Sequence, residues 1–331
     1  MKNVARIGIL VATVAGFGAA IWVFGSIGFG NVVAAATRIG PAGLLFFCLY
    51  SLALFGLLGG AWLAAARDEP PRGLWAFAWA RMLREAVSDL LPFSQIGGIV
   101  VGTRSLLLAR LPAPRVYASL VVDLTTEMAA QLVFTLFGLA MMASMLVGGA
   151  QAAALRPLIL GGTAAMAAGV MLFFVAQRPA LLLAQRVAGI FLPAYASGMA
   201  DLIEELRVTY ARRSRVALAF ALNLAGWIAS ALGAWFVLLM MGAHISIWSA
   251  LSLESLIFTL RSIAFALPGA IGLQEVAYVL AAPLFGLPAE TALALSLAKR
   301  AREVAIGLPT LIIWQVIEAK ALVAGPRVEG R

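Results

Sequence analysis

Charge, cysteine and histidine are scarce in this chain. Only 12% of its 331 residues are charged, where a soluble domain carries about a quarter. That shortage excludes a soluble enzyme with an ordinary hydrated surface, and a disordered chain as well. The lone cysteine, Cys48, sits in an apolar run, so no intrachain disulfide can form and the redox compartment is not encoded. The lone histidine, His244, lies in a short polar interval, which leaves no Cys/His set for a metal. Gly16-Phe17-Gly18 and Gly28-Phe29-Gly30 follow no strand and so are not dinucleotide fingerprints. No phosphate-binding loop is present, and no cofactor is expected. Apolar residues supply the rest: 63% of the chain is hydrophobic and the mean hydropathy is +0.99. The fold class that follows is all-α, a polytopic bundle of membrane helices.

Six apolar runs, about 7–27, 41–66, 116–147, 155–176, 216–242 and 289–321, are each long enough to cross the membrane. A hydrocarbon core about 30 Å thick needs roughly 20 residues at 1.5 Å each. The first run follows Lys2 and Arg6 like a signal peptide, but its apolar stretch is too long for one and reads as a retained helix. Two further stretches, 75–110 and 250–288, are interrupted by Pro, Gly and charge and make no clean span.

The 24 basic against 15 acidic residues give a net charge of +9. These basic residues lie between apolar runs, where they orient the chain and meet anionic lipid heads rather than nucleic acid. Clusters follow the second run (Arg67, Arg72), precede the third (Arg104, Arg110, Arg115) and fill the linker 178–215; only Arg38 and Arg156 fall on the other side. If both broken stretches re-enter and leave on one side, every basic cluster becomes cytoplasmic, as do both termini. The linker's alternation of charge with Leu202, Ile203, Leu206 and Tyr210 reads as helices lying on the inner leaflet.

The chain is one transmembrane domain, 1–331, with an internal repeat. Leu91-Pro92 recurs as Leu267-Pro268 and Leu111-Pro112 as Leu287-Pro288, both at an offset of 176, which also carries Glu127 onto Glu303. The halves are about 41–147 and 217–323, each a helix, a broken hairpin and a long helix with buried charge. By the orientation argument they run in opposite senses, and interrupted helices at matching places of inverted repeats point to a transporter with a midplane site.

Ionisable residues within the membrane cost about 2.5–3.5 kcal/mol each, so they face a cavity or a partner. Around the first break stand Arg84, Glu85, Ser88, Asp89 and Gln95; around the second stand Glu254, Arg261, Gln274 and Glu275. Asp123 and Glu127 share one helix face, as do Lys299 and Glu303, with Arg302 beside them and Arg300 turned away. Asp123 and Lys299 correspond at the 176 offset, which predicts an ion pair between them. Asp89, Gln95, Arg261, Gln274 and Glu275 are expected to line one cavity. Trp22, Trp62, Trp75, Trp79, Trp248 and Trp314 read as an interfacial belt, and Gly59-Gly60 with Gly98 and Gly102 as helix-packing notches.

The run Arg84–Arg104, with Ser88-Asp89-Leu90-Leu91-Pro92-Phe93-Ser94-Gln95 and Gly97-Gly98, followed by Val122-Asp123 and Glu127, resembles the hopanoid-biosynthesis-associated membrane protein family. So do Leu260–Phe265, Pro268-Gly269-Ala270, Gln274-Glu275 and Lys299–Glu303. The likeness covers roughly 40–320 and extends to the flippase-like transmembrane part of lysylphosphatidylglycerol synthases. It implies a bacterial inner-membrane protein that handles a hopanoid or phospholipid-like lipid, with lipid-synthesis proteins or a second copy as possible partners. The synthases' soluble aminoacyl-transferase domain has no counterpart here, so no synthase activity is expected. A flippase is the first reading. An intramembrane lipid-modifying enzyme and a non-transporting scaffold are the alternatives, the enzyme weakened by the absence of a buried His or a thiol near a base.

Overall fold

The computed structural model describes residues 37–91, 94–146, 196–263 and 272–323, with Gly30, Ala34 and Val175. The expected first and fourth spans, the linker residues 178–195, Pro92 and Pro268 lie outside the described residues. Every regular element among those described is helical. In order they are α1 (Gly40–Ala65), α2 (Leu74–Leu90), α3 (Ser94–Leu108), α4 (Ala113–Leu146), α5 (Ala196–Ala211), α6 (Arg213–Met240), α7 (Ile247–Ile263), α8 (Leu273–Ala281) and α9 (Ala289–Val323).

Three stretches have the length and apolarity of a membrane span: Gly40–Ala65, Ala113–Gly138 and Arg213–Met240. The 35-residue α9 is as long as expected, but Lys299, Arg300, Arg302 and Glu303 break its apolar character. Helices α2 and α3 have 17 and 15 residues, about 26 and 23 Å at 1.5 Å per residue, short of a full crossing. Helix α8 has only 9.

Element bounds recur at the spacing read from the sequence. Helix α4 begins at Ala113 and α9 at Ala289, 176 residues later. Helices α1 and α6 pack antiparallel: Gly43 faces Met240, the Tyr50 ring faces Gly233, and Leu58 faces Gly226. The Tyr50 hydroxyl fixes this register by donating to the Ala229 carbonyl at 2.6 Å. Each hairpin then packs against the long helix of the other half, α2 on α9 and α7 on α4.

The loops sort to two ends. At one, Arg67 donates to Glu205, Arg212 donates to Asp68 at 2.7 Å, and Arg115 lies 3.9 Å from both Glu69 and Glu205. At the other, Ile39, Met241, Ile245 and Leu287 share one apolar cluster. Thus the basic loops after α1 and before α4 and α6 gather together, away from 243–246 and 287–288.

Three sequence expectations change. Trp62 is no belt residue: it is fully buried, and its indole N–H donates to Ser119 at 3.1 Å. Trp314 is buried too, whereas Trp75 and Trp248 are exposed, one near each end. Helix α5 does not lay its apolar face on lipid; Leu202, Leu206 and Tyr210 pack with Ala64, Ala118 and Ala219. The packing notches are real: a Cβ on Gly59 would stand 2.4 Å from Ala78 Cα, and one on Gly98 2.3 Å from the Arg84 carbonyl oxygen.

Candidate functional site

Burying charge between apolar helices requires that each charge be matched and hydrogen-bonded. The described residues meet this demand with three connected groups of side chains.

The first lies between α2 and α4. Arg81 grips Glu127 with both terminal nitrogens and donates to Asp123 at 3.4 Å. Arg84 donates to Glu127 at 2.9 Å. From α6, Asn223 donates to Asp123 at 3.3 Å and to Thr126 at 3.1 Å. Arg81, Arg84, Asp123 and Asn223 are all buried, so this group is sealed. Ser88, one turn beyond Arg84, is buried with its hydroxyl unpartnered.

In the second, Lys299 on α9 donates to Glu254 on α7 and to the Tyr278 hydroxyl on α8 at 2.6 Å. Tyr278 in turn donates to Glu254 at 2.5 Å. The Lys299 ammonium also stands 5.3 Å from the ring centres of Phe258 and Tyr278, within cation–π range. The expected Asp123–Lys299 pair is therefore not formed. Each residue is satisfied inside its own half, with the signs exchanged: base on hairpin and acid on long helix in the first half, the reverse in the second.

The third group joins the halves. Arg261 on α7 donates to Asp89 on α2 at 3.0 Å, and its other terminal nitrogen lies 3.6 Å from Glu303 on α9. Arg300 donates to Glu303 at 3.0 Å and to Glu275 at 3.3 Å, so it is not turned away. It is the link that ties Glu275 to the Glu303–Arg261–Asp89 chain. Gln274 and Glu275 both engage Ser296, at 2.8 and 3.1 Å. Glu275 also caps α8 by accepting the Gly272 N–H at 2.8 Å, where Gly272 has φ +82°. These two are packed against α9; Asp89 and Arg261 meet as expected, and the Gln95 side chain lies outside the described residues.

A cleft of about 340 Å³, open on one side, adjoins the second and third groups. Phe47 and Tyr50 on α1, Ser230 on α6 and Phe258 on α7 form its walls, and Arg261, Lys299 and Arg302 supply charge. Tyr50 and Ser230 stand near the middle of their helices. Arg302 stacks on Phe47, its guanidinium carbon 5.5 Å from the ring centre.

Sequence reasoning missed Arg81, Asn223, Ser296, Tyr278 and the role of Arg300. Arg81 precedes Arg84 by three residues and Glu85 by four, a shared helix face. Asn223 was legible as a lone amide inside an apolar run.

The model of the lysylphosphatidylglycerol synthase transmembrane region matches residues 6–309. The chain belongs to that family. Membership makes it a membrane protein of a lipid-related family. No curated protein and no solved structure matches the chain.

Proposed function

We propose that this member of the lysylphosphatidylglycerol synthase transmembrane-region family moves a membrane lipid between leaflets, with no covalent bond made or broken. The observation that carries the reading is the cleft near the middle of α1 and α6, charged within an apolar bundle and walled by helices of both halves. A lipid head would occupy the cleft while its apolar body stayed in the bilayer. The antiparallel run of α1 and α6 and the exchanged hairpin packing support an inverted repeat, in which one half rocks against the other. Arg261, bonded to Asp89 in one half and facing Glu303 in its own, is placed where such rocking would break and remake contacts.

In this reading the basic loops face the cytoplasm of a bacterial cell, both termini lie inside, and the cargo is a hopanoid or phospholipid-like lipid. Anionic lipid heads would sit at the basic end. Reconstitution into liposomes tests the proposal. Labelled lipid should exchange between leaflets several-fold faster than in protein-free vesicles, and Arg261→Gln should remove the gain. Exchange at the protein-free rate would reject translocation in favour of a scaffold or an enzyme.

A further inference from the structure

We infer that the cleft recognises a phosphoryl group, carried by the head of a membrane lipid, and that Arg302 is its principal ligand. The inference rests on the translocation reading and narrows its cargo from a lipid of any kind to one bearing phosphate.

The ionic partners around the cleft are unequally shared. Lys299 has Glu254 and Arg261 has Asp89, both at hydrogen-bond distance. Arg302 has only Glu303, at 3.5 Å, and that carboxylate is already held by Arg300 at 3.0 Å and approached by Arg261 at 3.6 Å. Three guanidinium groups thus surround one buried carboxylate. The Nε of Arg302 is buried with no hydrogen-bond partner among the described residues. A buried donor left unpaired on a cation carries a standing desolvation cost that an incoming anion would relieve.

The chemistry of the wall selects the anion. A guanidinium fork matches two phosphoryl oxygens, and such charge-assisted pairs are the stronger kind. Stacking on Phe47 fixes the plane of the Arg302 fork. Tyr50, Phe258 and Leu54 offer apolar surface beside the charges, suited to the carbon skeleton next to a lipid phosphate. A neutral polycyclic alcohol would leave Arg302 unsatisfied.

The test uses the full chain purified in a nonionic detergent and follows its thermal unfolding against added ligand. Dioleoyl-phosphatidylglycerol and dioleoyl-phosphatidic acid should raise the unfolding temperature saturably. Dioleoylglycerol, with the same chains and no phosphoryl group, should not. Arg302→Gln should weaken the apparent affinity for phosphatidylglycerol about tenfold, and Arg302→Lys should restore part of it. Arg207→Gln, at an exposed residue of α5, should change nothing. If Arg302→Gln does not fold, Ser230→Phe fills the cleft without touching an ion pair and should abolish the shift.

Equal shifts with dioleoylglycerol, or an Arg302→Gln protein that folds and binds as before, would overturn the inference. Saturation by inorganic phosphate at the lipid's concentration would overturn the lipid source of the group. Phosphoryl-dependent binding without leaflet exchange would keep the pocket and reject translocation. Exchange of neutral lipid as fast as phosphatidylglycerol, with no phosphoryl-dependent shift, would do the opposite.

Discussion

Arg261 joins the two halves of the chain by donating to Asp89 at 3.0 Å, a contact between residues 172 apart in sequence. Both side chains are largely buried, so each single neutralisation leaves the other charge poorly matched. Asp89→Asn and Arg261→Gln should each lower the unfolding temperature in detergent. The double variant should lose less than the two single losses combined, with a coupling of about 1–3 kcal/mol. Additive losses would show that the two residues act apart.

The corresponding positions Asp123 and Lys299 share no hydrogen-bond partner, since Asp123 is held by Arg81 and Asn223 and Lys299 by Glu254 and Tyr278. Destabilisation by Asp123→Asn and Lys299→Gln should therefore add, to within about 0.5 kcal/mol. Glu254→Gln with Lys299→Gln should be strongly non-additive, because removing one member alone strands a buried charge. Denaturant titration of the four singles and doubles checks both statements.

Close helix contact is tested at Gly98. A methyl there would stand 2.3 Å from both the Arg84 carbonyl oxygen and the Ser88 hydroxyl. Gly98→Ala should cost about 1–3 kcal/mol by forcing α3 away from α2. Gly56→Ala, where nothing lies within 4 Å, should be neutral or slightly stabilising. Thermal melts of the two variants side by side separate packing from helix propensity.

At the basic end, Asp68 ties the loop after α1 to the start of α6. The hydrogen bond from Arg212, with Arg67 assisting, holds the Asp68 carboxyl below its ordinary value of 3.8. A lowered folded-state value means that the contact stabilises the fold fully above 3.8 and less as pH falls below it. Amide exchange in 66–72 and 211–213, corrected for intrinsic rates, should speed up on acidification through that range. Asp68→Asn should exchange faster at neutral pH and respond less to acid. Asparagine tolerates the φ of +55° at this position, so the comparison isolates charge.

The sequence made the scaffold readable because hydrophobic run length and breaker position survive any detail of packing. The 176-residue offset drawn from two Leu-Pro pairs returns as the starts of α4 and α9. Partner choice did not survive in the same way. Asp123 and Lys299 match in sequence, but each helix rotation brings a nearer opposite charge, Arg81 or Glu254, into reach. Arg300 looked misplaced on the helical wheel, yet its long side chain curls back to Glu303 three residues on. Trp62 was misread because indoles serve buried hydrogen bonds as well as interfaces, and only Ser119 opposite it decides which. The apolar face of α5 fitted lipid or protein equally until α4 was seen against it.

Access to the cleft from both sides of the membrane is the measurement that tests the account most directly. Ser230 lines the cleft on α6, and Ser230→Cys in a Cys48→Ser background gives one reporter thiol in the chain. With the protein reconstituted in liposomes, a membrane-impermeant thiol reagent is applied from outside or trapped inside, with vesicle orientation fixed by prior selection. Alternating access predicts labelling from each side, slowed from both by phosphatidylglycerol and slowed less when Arg302→Gln is added. Labelling from one side only, under every lipid condition, would contradict translocation through this cleft.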